Sequence, residues 1–146
     1  MEKKTTTADL YKFKLNGKLV DFMPFVTMEI GTSGRREEIA MIDKYHSYAT
    51  VLFVAYKKQK YAVDLAFDAL QARLYIDIRQ AIIDKDDKPT EAHITSRMQM
   101  LDSYKELAQK RAGIDLRLDI LYGIFKQASN RREDIKYIYG LESKEE

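Results

Sequence analysis

The chain has 146 residues, of which 45% are hydrophobic and 33% charged, with a formal net charge of +2 and a pI near 8.6. That length suits one domain, and so small a charge excess does not mark nucleic-acid binding by itself. The absence of cysteine excludes disulfides and thiolate metal sites, and no apolar run reaches the roughly 18 residues of a membrane span.

Residues 1–8 are polar and are expected to be disordered. They lack the apolar segment of a signal peptide, so a cytoplasmic protein is expected, in the host cytoplasm if a phage encodes it. Residues 11–22 alternate apolar and polar side chains around Asn16-Gly17. Both residues tolerate the positive φ angles of a type I′ turn, and the segment reads as a β-hairpin. Pro24 interrupts the pattern, and residues 25–30 read as one more short strand. Gly31-Thr32-Ser33-Gly34 is a break.

From about residue 35 to 84 there is neither Gly nor Pro. Apolar residues recur at helical spacing: Ile42, Tyr45, Ala49, Leu52, Tyr56, Val63, Ala66 or Phe67, Leu70, Leu74, Ile78. Ser33 is the expected N-cap, and Glu37 and Glu38 suit the positive end of the helix dipole. A single helix of about 50 residues would be about 75 Å long. Residues 84–89, rich in Asp and Lys and closed by Pro89, form the breaker. Thr90 is the expected N-cap of a second helix with the stripe Ile94, Met98, Leu101, Tyr104, Leu107 or Ala108, Ile114, Leu118, Leu121, Phe125, Ala128, Ile135. A kink is expected near Gly113, and Gly140 is the expected C-terminal stop.

The fold class that follows is mainly α: a long antiparallel helical hairpin with a small N-terminal β-hairpin, oligomeric because two long helices alone make a thin core. Residues 1–33 form the disordered start and β-hairpin region, 34–140 the helical hairpin with its turn near 84–90, and 141–146 an acidic tail.

No catalytic constellation emerges, and no enzyme, cofactor or metal is expected. His46 and His93 lack a metal-ligand partner at helical spacing. The Gly31–Gly34 segment lacks the Lys-Ser/Thr ending of a phosphate loop. Asp64 and Asp68 share a helix face, but Lys60 stands four residues before Asp64, so a solvated charged face is the simpler reading. The binding signals are stronger. In residues 56–61, Tyr56 and Tyr61 flank Lys57, Lys58 and Lys60, and lysines neutralise phosphates while tyrosine faces stack on unpaired bases. Against this, Tyr56 also fits the core stripe and the lysines a wet helix face. Arg35-Arg36 and Arg131-Arg132 are further cationic doublets, the latter also suited to a helix C-terminus.

Residues 66–75, Ala-Phe-Asp-Ala-Leu-Gln-Ala-Arg-Leu-Tyr, resemble the Ala-Leu-Lys-Ala-Arg-Leu-aromatic segment of the UvsY-like phage recombination mediators of T-even and related phages. Three further features fit: Lys44-Tyr45-His46 upstream, the acidic and Lys-rich turn before a long Tyr/Leu-striped helix, and Asn130-Arg131-Arg132-Glu133-Asp134-Ile135-Lys136 near its end. The resemblance covers roughly residues 40–140, and the N-terminal third does not share it. It implies a ring-like homo-oligomer that binds single-stranded DNA, displaces a single-strand-binding protein and loads a RecA-like recombinase. The family's Lys and Arg contribute to single-stranded DNA binding; its Arg is Arg73 here, while Gln71 stands in place of its Lys, so the resemblance implies one lost phosphate contact and a DNA contact shifted toward Lys57, Lys58, Lys60 and Arg79. The alternative is a phage assembly, scaffold or protein-interaction module without catalysis.

Overall fold

The computed structural model describes residues 6–144, with side chains through Gly140. The elements are α1 (Thr7–Leu10), β1 (Lys12–Leu15), β2 (Lys18–Asp21), α2 (Met23–Val26), α3 (Arg35–Asp84), α4 (Glu91–Gln99) and α5 (Asp102–Lys144). The expected disorder of residues 1–5 and the side chains of the acidic tail lie outside the described residues.

Residues 6–8 are ordered, a correction with a local cause. Thr6 and Asp9 form a reciprocal capping box that opens α1. The hydrogen bonds from the Thr6 backbone and hydroxyl, helped by Lys12, hold the Asp9 carboxyl below its ordinary 3.8. The β-hairpin is as expected: Asn16 (φ 51°) and Gly17 (φ 77°) both take the left-handed region, and the strands pair antiparallel with Phe13 opposite Val20 and Leu15 opposite Lys18. The expected strand at 25–30 is not formed. Pro24 sits in the first turn of α2 instead, where its missing N–H costs nothing, and Phe25 is driven into the core.

The chain forms two units, residues 1–56 with 117–146 and residues 57–116. The first unit gathers the N-terminal elements around parts of α3 and α5. Its core holds Phe13, Val20, Phe22, Phe25, Ile42, Tyr45, Ala49, Leu52, Leu121, Ile124, Ala128 and Ile135. Phe13 meets Phe22 edge to face at 5.5 Å, and Phe25 lies 5.6 Å from Tyr45. Burying each Phe removes an aromatic ring from water at a gain of about 2 kcal/mol, which is how an otherwise marginal hairpin persists. The second unit is built on Leu74, Ile78 and Ile82 of α3 against Ile94 and Met98 of α4, with Leu70, Tyr75 and Tyr104 alongside. Within each unit α3 and α5 run antiparallel: Asp43 meets Arg132 and His46 meets Phe125 in the first, while Asp64 meets Arg111 and Phe67 meets Tyr104 in the second.

Three helix features differ from the sequence expectation: the N-cap of α3, the course of the second helix and its C-terminal stop. The N-cap position of α3 falls on Gly34 (φ 99°), whose carbonyl accepts from the Glu38 N–H at 3.1 Å, rather than on Ser33. The C-terminus of α3 is a Schellman motif: Asp87 N–H reaches Ile82 O at 3.2 Å and Asp86 N–H reaches Ile83 O at 3.0 Å, with Asp86 left-handed at φ 54°. Thr90 caps α4 as expected, its hydroxyl accepting from the His93 N–H at 3.2 Å. The second helix breaks at Met100-Leu101 instead of kinking at Gly113, because the Met100 and Leu101 N–H groups tighten onto carbonyls three residues back; Leu101 is consequently exposed. Gly140 does not stop α5, which continues to Lys144.

Candidate nucleic-acid interface

The sequence singled out Lys57, Lys58, Lys60, Arg73, Arg79, Arg131 and Arg132, and the fold sorts them into two kinds. Lys60, Arg131 and Arg132 make defined polar contacts within the chain. The Lys60 ammonium donates to Asp115 Oδ1 at 2.7 Å, and that bond pushes its pKa above the ordinary 10.5. Arg132 Nη2 donates to Asp43 Oδ1 at 3.1 Å. Arg131 forks onto carbonyls at and just beyond the end of α2: Nη2 donates to Val26 O at 2.9 Å and Nη1 to Met28 O, with the guanidinium 5.4 Å from the Phe25 ring centroid.

The others lie on the exposed side of α3. Lys57, Lys58, Arg73 and Arg79 are exposed, and among the described residues no ion pair holds Lys58, Arg73 or Arg79. At 100° per residue, Tyr61, Leu65, Ala72, Ile76 and Ile83 fall within an arc of roughly 60°. All five are exposed, Tyr61 at 69% and Ile76 at 66%. Val63, Phe67, Leu74 and Ile78 point the opposite way and are buried. In this unit α3 is therefore apolar on two opposite faces, one covered by the chain and one not, and the cations border or interrupt the uncovered one. Asp64 is drawn across to α5, its Oδ1 3.1 Å from Arg111 Nε, while Asp68 remains exposed beside the uncovered face.

Gln71 is half-buried, so the position that differs from the mediator segment is turned partly away from solvent while Arg73 is exposed. Tyr75 donates its hydroxyl proton to Glu91 Oε1 at 2.5 Å, a bond that raises the phenol above its ordinary 10.0. This leaves Tyr61 as the exposed aromatic nearest the lysine cluster, since Tyr56 packs edge to face on Phe13 at 5.8 Å. His46 packs against Phe125 at 5.3 Å.

Two buried or half-buried charged side chains hold the fold together in ways that the sequence reading did not find. Arg117 donates to Leu10 O and Lys12 O, both at 2.8 Å, and stacks 4.8 Å from the Phe13 centroid. Glu38 is 2% exposed and accepts from the Gly31 and Thr32 N–H groups and from the Tyr139 hydroxyl. A single Arg beside an apolar stripe and a Glu in a first helical turn carry no sequence signal for these roles. Among the described residues no three His, Asp or Glu side chains gather as a metal site, and no helix is long and apolar enough to cross a membrane. Compared with known protein families, curated proteins and solved structures, the chain matches none.

Proposed function

We propose that the chain is a non-catalytic recombination mediator: a self-associating helical hairpin that binds single-stranded DNA, displaces a single-strand-binding protein and helps to load a RecA-like recombinase. The observation that carries this reading is the exposed side of α3, where Lys58, Arg73 and Arg79 have no ion-pair partner among the described residues and stand with exposed Tyr61. The mediator-like segment at residues 66–75 supports it from the sequence. One subunit offers few phosphate contacts. Several subunits on one strand multiply them, so a modest charge per chain suffices.

Fluorescence anisotropy with a labelled oligo-dT at low salt, read beside light scattering, tests the proposal. Binding should fall steeply with salt, and Lys58→Ala or Arg73→Ala should each weaken it and lower the salt slope by about one ion. No binding at low salt would sink the DNA reading. A second reading, an assembly or scaffold module that pairs with protein alone, is favoured by the uncovered apolar face of α3. It predicts oligomers whose mass is indifferent to DNA.

A further inference from the structure

The two edges of the β-hairpin are treated differently by the fold. The Phe22 N–H donates to Tyr11 O at 3.0 Å, which makes Tyr11–Phe22, Phe13–Val20 and Leu15–Lys18 the hydrogen-bonded pairs of the ladder. Lys12, Lys14, Leu19 and Asp21 therefore turn their backbone N–H and C=O groups outward. On the β1 edge, the Lys12 carbonyl is taken by Arg117 at 2.8 Å. On the β2 edge, among the described residues no hydrogen bond reaches the outward backbone groups of Leu19 or Asp21. That edge opens into a cleft of about 440 Å³ between β2 and the α3 turn bearing Lys44, Tyr45 and Tyr48.

The cleft has the chemistry of a strand-addition groove. Leu19 is 62% exposed on its rim although it belongs to a strand. Tyr45 and Tyr48 form an aromatic wall, their centroids 6.1 Å apart. Lys18 and Lys44 line it, and Lys14 lies directly across from Leu19 on the outer face. The one acid in the lining, Asp21, has its Oδ1 engaged by the Met23 N–H at 3.0 Å. An open edge supplies main-chain hydrogen bonds and so calls for an extended peptide; the surplus of lysine calls for negative side chains.

We propose that the β2 edge is a docking site for an extended, acidic segment of a partner protein, which adds a third antiparallel or parallel strand beside Leu19 and Asp21 and sets carboxylates against Lys18 and Lys44. This site uses none of the cations assigned to DNA and does not depend on DNA binding.

The test uses the full chain, ¹⁵N-labelled, titrated with the blocked peptide acetyl-Val-Glu-Val-Glu-Val-Glu-amide. Binding should shift the amide resonances of residues 18–21 and 44–48 and slow hydrogen exchange at Leu19 and Asp21 at least tenfold. Leu19→Pro removes one outward N–H while leaving the ladder to β1 intact, and should abolish the shifts. Lys18→Glu with Lys44→Glu keeps the backbone edge and should weaken binding at least tenfold, so a folding defect in the proline variant does not decide the matter. The proposal is overturned by three results: no shift with the acidic peptide, equal binding of the Val-Lys counterpart or of oligo-dT at the same residues, or protection of Leu19 in the free protein that grows with its concentration. The last would assign the edge to a second copy of the chain.

Discussion

Arg131→Ala separates a structural cation from a DNA-binding one. In the folded chain the guanidinium satisfies the Val26 and Met28 carbonyls and lies over Phe25, itself fully buried. Hydrogen bonds from a charged donor contribute about 1.5–3 kcal/mol each. Arg131 is only half-buried, so water recovers part of that once the side chain is removed. The expected loss is about 2–4 kcal/mol, and for a chain of this size a fall in melting temperature of about 10 °C. Arg131→Lys keeps the charge but not the planar fork, and should recover less than half of the loss. Circular dichroism melts give the stability, and anisotropy well below the melting temperature gives the DNA affinity. A melting temperature within about 2 °C of the parent for Arg131→Ala would refute the reasoning, and the residue would revert to a surface cation.

Other substitutions probe the helices and the caps. Gly113→Ala should stabilise the chain by about 1 kcal/mol in denaturant titration, because α5 is continuous there and an added Cβ meets nothing within 4 Å. Asp86→Gly should stabilise by about 0.5 kcal/mol by the same measure, since glycine takes the left-handed C-terminal position of α3 without the strain of a side chain. The lowered Asp9 carboxyl stabilises α1 at pH values above 3.8, and that contribution is lost as pH falls through the depressed value. The Thr6 amide resonance should report this titration, and Asp9→Asn should remove it. Lys60 has the opposite sign. Its raised ammonium contributes below pH 10.5 and the contribution disappears as pH climbs through the raised value; Asp115→Asn should eliminate that alkaline step in a melting-temperature profile.

Much of the architecture could be read from local chemistry. Asn16-Gly17 announces its turn because few residue pairs accept two positive φ angles in succession, and the long α3 stripe needed only period 3.6 and the absence of Gly and Pro. The misread places are those where tertiary packing overrides local preference. Residues 25–30 look like a strand, yet Phe25 is worth more inside the first unit than in a ladder with no neighbour to pair with. Gly140 resembles a helix stop, but nothing compels a glycine to take a positive φ, and here it remains helical. The break at Met100-Leu101 has no Gly or Pro to betray it. The cation set was legible as composition only. Which lysine faces an aspartate on α5 depends on the pairing of α3 with α5, and residue spacing within one helix does not contain it.

The first unit is assembled from the two ends of the chain, and this has a consequence during synthesis. Phe13, Phe22 and Phe25 share their buried cluster with Leu121, Ile124, Ala128 and Ile135, so their covering partners leave the ribosome roughly a hundred residues later, about 5–20 s at ordinary elongation rates. Through that interval three phenylalanines next to an open strand edge wait in an unfinished nascent chain. The second unit, contiguous in sequence and rich in local contacts, has no such delay. Translation therefore completes the second unit first and the β-hairpin's core last, and a holdase that shields the N-terminal aromatic cluster would raise the yield of folded protein more than one acting on residues 57–116.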